Sequence, residues 1–242
     1  MFALAVAFGF AGFKTYIVPA ASMEPNIVRG DYLATSPMSA SRPPVRGDLS
    51  VFRLPASGRV EFIKRLIGLP GDRVQLKGGQ LYINDKPVAE KPIGISVGAL
   101  PGGRQPVKLQ QESLPEGRSY KIQLSPGFEN AGDTGVYVVP PHCYFALGDN
   151  RDNSLDSRFD PGVAPDDPKL GGCGWNTELD DEVGDQAGVG FVPEKNLMGR
   201  PSLILLSWNT GEDEAHPGGA SLLKPWTWFT DARPERFFKV LR

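Results

Sequence analysis

Cysteine is scarce in this chain of 242 residues, with Cys143 and Cys173 the two present. That is too few for a disulfide scaffold, and their spacing does not suit a zinc site. One bridge, formed in an oxidising compartment, and two buried thiols both remain open. No run of lysine or arginine interleaves with aromatics, which argues against a nucleic-acid partner. No internal repeat or long helical period stands out either. The apolar run at Met1–Phe13, interrupted by Lys14 and Thr15 before Val18, falls short of the roughly 20 residues that a membrane span needs. A leader h-region, a short membrane anchor and a buried helix all fit it, and the expectation is the anchor.

What the chain does have is turn-forming residues: 29 glycines and 23 prolines without a collagen-like period. This points to many turns and short strands, hence a mostly β fold. The expected organisation is a short hydrophobic segment at 1–18 and a core at 19–84 and 141–242. A smaller β-rich subdomain is inserted at 85–140, and an acidic loop at 160–190. The formal net charge of −2 is unevenly spread, because the acidic segment alone carries −7 and leaves +5 for the remainder. A mildly basic body suits an anionic lipid surface as well as it suits solubility.

Two prolines bracket Pro19-Ala20-Ala21-Ser22-Met23-Glu24-Pro25, so this stretch can neither continue a helix nor sit in a central strand. It holds one serine in a short, constrained segment. Taken alone it is a loop serine capping a turn; with a base beside it, it is a nucleophile. The strand expected at Arg59–Leu66 supplies a candidate base. Alternation puts Val60, Phe62, Lys64 and Leu66 on one face and Arg59, Glu61 and Arg65 on the other, where charge is expected. A lysine on an apolar face either snorkels to water or stays desolvated as a free amine. A drop of about 3 units from its ordinary pKa would bias it by roughly 4 kcal/mol against the charged form.

Further strands are expected at Ile27–Ala34 (broken by a turn at Gly30-Asp31), Leu49–Phe52, Val74–Leu76, Gln80–Ile83, Ser119–Leu124, Gly135–Val139 and Leu203–Leu206, with a proline-rich, partly mobile stretch over Gly98–Glu116. The tail Arg233–Arg242 reads as an amphipathic helix with Phe237 and Leu241 one turn apart. The polar run Gly148–Phe159 fails as a calcium loop, because Arg151 stands at a ligand position and the turn glycine and terminal glutamate are missing. It reads instead as a buried polar network that carries Ser154 toward Lys64.

Four blocks in order resemble the type I signal peptidases, bacterial membrane-bound serine proteases. They are Pro19–Pro25, Arg46–Phe52, Phe62–Asp72 and Gly148–Arg158, with Phe191-Val192-Pro193 and Gly199-Arg200 also fitting. The resemblance implies a signal-peptidase-like core of antiparallel sheets and a Ser-Lys dyad without histidine, cofactor or metal, in a chain whose histidines are His142 and His216. Ser22 is then the nucleophile, Lys64 the base and Ser154 the residue that orients the lysine. Arg65, Asp149, Asp156 and Arg158 become the supporting network. Tyr16, Val18, Ala20, Met23, Ile27, Val51, Phe62 and Leu155 become the substrate walls. The implied substrates are signal peptides of exported preproteins with small residues at −1 and −3. They would be cleaved at a lipid surface, on the extracytoplasmic side of the bacterial inner membrane. Three departures stand out: Ala20 where many members carry an oxyanion-hole serine, Leu155 where a small residue is common, and the acidic insertion beside a short N-terminus. They suit a specialised processing protease with few substrates; a catalytically silent peptide-binding relative is a further alternative.

Overall fold

The computed structural model describes residues 12–39, 41–100, 102–125, 131–164, 166–175, 188–209 and 226–241. The anchor expected at the N-terminus and the centre of the acidic insertion lie largely outside the described residues.

Fifteen strands are present among the described residues: β1 (Lys14–Ile17), β2 (Asp31–Pro37), β3 (Leu49–Arg53), β4 (Glu61–Gly68), β5 (Arg73–Lys77), β6 (Gln80–Ile83), β7 (Lys86–Pro87), β8 (Ala89–Leu100), β9 (Gly103–Ser113), β10 (Ser119–Leu124), β11 (Tyr137–Val138), β12 (Cys143–Leu147), β13 (Val192–Pro193), β14 (Leu197–Ser207) and β15 (Lys239–Val240). The largest sheet runs β1-β2-β14-β3-β4-β12-β13, with β15 on β14. A four-stranded sheet, β11-β5-β6-β7, and a three-stranded one, β10-β9-β8, complete the β fabric. The pairings between these strands are antiparallel. The fold is the mostly β architecture that the turn-rich composition implies.

The cores follow from alternation. Ile67 of β4 points away from Leu66, into a cluster with Val74, Leu81, Ile122, Tyr137, Phe145 and Trp175. Leu66 joins Phe52, Tyr144, Ala146 and Val192 in another cluster, which Phe62 packs against. Each fully buried side chain of this kind contributes about 1.5–3 kcal/mol. Cys143 and Cys173 are joined as a disulfide, tying the start of β12 to the loop that follows a single 3₁₀ turn at Pro168–Leu170.

Three local expectations are corrected. The proline-rich 98–116 stretch is ordered as most of a long hairpin, β8–β9. Its prolines sit where no ladder bond is lost. Pro92 lies on edge strand β8 at a register shift, and Pro106 lies beyond the last β9–β10 pair, Lys108 with Leu124. In the stretch Ile27–Ala34 the expected Gly-Asp turn is there, with Gly30 at φ +85°, but only the part from Asp31 onward is strand. The C-terminal tail is not an amphipathic helix. A 3₁₀ turn at Pro234–Arg236 ends at Phe238, whose positive φ of 56° swings the chain into β15. Arg236 pairs there with buried Asp31, and the Phe237 ring packs at a tilt against Trp208.

Candidate active site

Strand β4 is the spine of the site. It is flanked by β3 on one side and β12 on the other, and both ladders fix the neighbours of Lys64. Ser50 of β3 pairs directly with Lys64. Leu147 of β12 pairs with Arg65 as the last pair of that ladder, and Gly148 follows it directly in the chain. Directly opposed residues project to the same side, so Ser50 and Lys64 share a face.

Glycine at 148 is required by close approach. A Cβ there would lie 2.2 Å from Ser154 Oγ and 2.7 Å from the Ser22 carbonyl oxygen. Both serines therefore close over this one α-carbon, one residue beyond the β12 partner of Arg65. Ser154 Oγ is buried and has no hydrogen-bond partner among the described residues. Ser22 is half-buried in a turn held by Glu24 N–H donating to the Ala21 carbonyl at 3.0 Å and Ile27 N–H donating to the Met23 carbonyl at 2.9 Å. Asn150 N–H donates to the Ser22 carbonyl at 3.1 Å, and Asn150 Nδ2 donates to the Ala21 carbonyl at 3.2 Å.

Lys64 is 1% exposed. Burial pushes its amine down to about 8; Asp156 and Asp149 oppose the shift and Arg158 adds to it. Its Nζ lies 5.6 Å from the centre of the Phe62 ring and makes no ion pair among the described residues. The opposing carboxylates are already engaged. Asp156 accepts from Arg158 Nε at 2.8 Å and from Gly148 N–H at 3.0 Å. Burial works against its charged form, yet Arg158, Lys64 and the Gly148 N–H hold its carboxyl below the ordinary value.

Arg65 corrects the simple two-face reading, because it is buried as deeply as Lys64 instead of facing water. Its fork donates twice to Asp149, at 2.8 Å each, and once to the Gly47 carbonyl at 2.8 Å, while its guanidinium lies 4.1 Å from the Tyr120 ring centre. The network expected around Arg65, Asp149, Asp156 and Arg158 is thus two ion pairs. Each pairs a cation with a carboxylate from the 148–158 run.

Among the expected substrate-wall residues, Tyr16, Val18, Met23, Ile27 and Val51 are brought together in one buried cluster, against which Ile63 packs. Phe62 is only half-buried and stacks on Phe52 on the other side of β4. Ala20 is half-buried at the end of the stretch that follows β1, and Leu155 is 44% exposed. Sequence reasoning missed Ser50, Gly148 and Asn150 as parts of the site. Ser50 was findable from strand register alone, and Gly148 from its place after an apolar strand. Asn150 was not, because its partners are backbone carbonyls that lie from about fifty to nearly 130 residues away.

A half-buried serine in a constrained turn and a buried, depressed amine on a neighbouring strand are what the geometry offers. Comparison with known proteins gives the class. A family model described as signal peptidase, peptidase S26, matches residues 1–208. The signal peptidase I of Rickettsia typhi is 33% identical over 258 aligned residues, covering 94% of this chain and 85% of its own. Those of Rickettsia felis and Rickettsia prowazekii are 37% and 35% identical with the same coverage. Among solved structures, a signal peptidase I from Enterococcus faecalis is similar at 23% identity and a TM-score of 0.33, over 66% of this chain and 97% of that one. The chain is a serine peptidase. It belongs to the signal peptidase family, peptidase S26.

Proposed function

We propose that this enzyme removes N-terminal signal peptides from exported preproteins through Ser22 as nucleophile and Lys64 as general base. One observation carries the reading: Lys64, buried and held down to about 8, neighbours Arg65, whose ladder partner Leu147 leads straight into the Gly148 α-carbon over which Ser22 and Ser154 close, the Ser154 hydroxyl having no partner among the described residues. In the first step the neutral amine takes the Ser22 Oγ proton as Oγ attacks the scissile carbonyl. The resulting ammonium returns that proton to the leaving amine, and the acyl-enzyme remains. Lys64 then deprotonates a water that attacks the ester, and the proton ends on Ser22 Oγ as the free acid leaves. Ser154 orients the amine. Ala20 contributes no hydroxyl to the oxyanion, so backbone N–H groups carry that charge.

The substrate is read as an extended segment with small residues at −1 and −3, presented at a lipid surface on the extracytoplasmic side of the inner membrane. Exposed Phe13, Trp226, Phe229, Phe238 and Val240 support a membrane-facing rim. Among the described residues no helix is long and apolar enough to cross a membrane.

The test is cleavage of a preprotein bearing an Ala-X-Ala site by wild type, Ser22→Ala and Lys64→Ala. Both substitutions are expected to abolish the mature product, and kcat/KM of the wild type is expected to rise with pH through about 8, as the amine loses its proton. Cleavage retained in both variants would end the dyad reading.

A further inference from the structure

We infer that Glu24 is a positioning residue for the nucleophile, acting through the tip of the β8–β9 hairpin. The inference rests on the reading of Ser22 as nucleophile. Glu24 lies two residues beyond Ser22 and is buried. A buried carboxylate is costly unless its oxygens are bonded. Here Oε2 accepts the backbone N–H of Ala99 at 3.1 Å, and Oε1 lies 3.5 Å from Arg104 Nη1. Ala99 and Arg104 face each other across the hairpin close to its turn.

Ala99 is a junction. In an antiparallel edge strand the N–H and C=O of one residue point to the same side, and those of Ala99 point away from β9. Its carbonyl accepts from Asn150 Nδ2 at 2.9 Å and from Asn153 Nδ2 at 3.0 Å. Asn150 Nδ2 also reaches the Ala21 carbonyl, which the Glu24 N–H meets from the other side. The bonds close a ring: Ala21 to Asn150, Asn150 to Ala99, Ala99 to Glu24, and Glu24 back to Ala21. Ser22 sits inside the turn that this ring encloses. A hairpin edge that would otherwise offer unpaired backbone groups is thereby used to fix where the hydroxyl stands.

A small misplacement of a reacting atom costs up to about a hundredfold in rate. Glu24→Ala removes the acceptor and Ala99→Pro removes the donor. Each is expected to lower kcat by about ten- to a hundredfold while KM stays near wild type, the signature of lost alignment rather than lost binding. Glu24→Gln keeps an acceptor oxygen and is expected to recover most of the rate. The double variant Glu24→Ala/Ala99→Pro is expected to be no worse than either single one, because both remove the same bond. Losses that multiply in the double variant, or that appear in KM alone, overturn the inference. So does wild-type kcat in Glu24→Ala. If Ala99→Pro does not fold, the difference in kcat between Glu24→Ala and Glu24→Gln decides by itself, and equal losses in the two overturn it. Ser22→Ala, run alongside, separates the two claims: turnover retained there removes the nucleophile, whereas a dead Ser22→Ala beside an unimpaired Glu24→Ala removes only the positioning role.

Discussion

Strand β4 buries one cation on each of its faces. Lys64 and Arg65 are consecutive and each is 1% exposed, yet burial has opposite consequences for them. Arg65 meets a two-pronged carboxylate and a backbone carbonyl, and although burial works against its charge, Asp149 raises its pKa above the ordinary value. Lys64 meets carboxylates that Arg158 and Arg65 already occupy, and it settles at about 8. Burial sets the penalty, but the partner decides whether the charge survives. The guanidinium face builds the wall; the amine face is left able to shed its proton near neutrality.

The sharpest way to break this contrast is to put the arginine chemistry on the lysine face. Lys64→Arg keeps a cation but cannot supply a free base, because a guanidinium does not deprotonate in proteins. Signal-peptide cleavage is expected to fall about 10⁴-fold or more, measured as kcat/KM on a preprotein substrate. Turnover near wild type would mean that the amine is not the base. The converse break removes the partner on the other face. Asp149→Ala strands a buried guanidinium and is expected to cost about 3–5 kcal/mol in chemical denaturation. A loss under 1 kcal/mol would show that Gly47 and Tyr120 suffice to hold Arg65.

The two faces were unequally legible in the sequence. Lys64 stood out because alternation placed it among Phe62 and Leu66, and β4 bears that out. Arg65 was assigned to a solvated face because a single strand does not reveal what packs on its far side. Its cover comes from Tyr120 of β10 and Asp149 beyond β12, which only the tertiary fold brings there. The long β9 was hidden for a related reason. The prolines around it suggest a partly mobile stretch, and only the end of the β10 ladder shows that Pro106 has no strand on its β10 side. The Cys143–Cys173 bridge was left open for want of any local signal, since thirty residues separate the two and nothing in their spacing fixes how near they come. The blocks around Ser22 and Gly148 were readable as motifs. Their convergence on the Gly148 α-carbon was not, although Gly-Asp-Asn following an apolar strand was a cue to close approach.

A smaller effect sharpens the amine face by itself. Lys64→Met is expected to stabilise the fold at pH 7, by about 3 kcal/mol, since the depression from 10.5 to about 8 is a cost of holding the charge in the folded state. The sign follows from proton counts. Below about pH 8 the lysine is charged in both folded and unfolded chains, and the cost is fully present. Between about 8 and 10.5 the folded chain has released its proton while the unfolded chain still holds it, so stability rises with pH. The advantage of methionine is therefore largest at pH 7 and fades toward pH 10.5, which denaturation at the two pH values reads directly. A constant difference would show that the lysine carries no buried charge.

The smallest expected change is the most diagnostic, because activity and stability should move in opposite directions. Ser154 Oγ is buried without a hydrogen-bond partner among the described residues and presses on the Gly148 α-carbon. Such a hydroxyl destabilises a fold, and removing it is neutral or stabilising by up to about 1 kcal/mol. If its use is to orient the amine of Lys64, Ser154→Ala lowers kcat by about tenfold while the unfolding midpoint holds or rises. A structural serine would give the reverse, a loss of stability with turnover per folded molecule unchanged. On the proposed assignment, a hydroxyl tolerated at a cost to the fold and an amine with no ion pair among the described residues suit the Lys64 face of β4 to chemistry, while the Arg65 face is built to hold it in place.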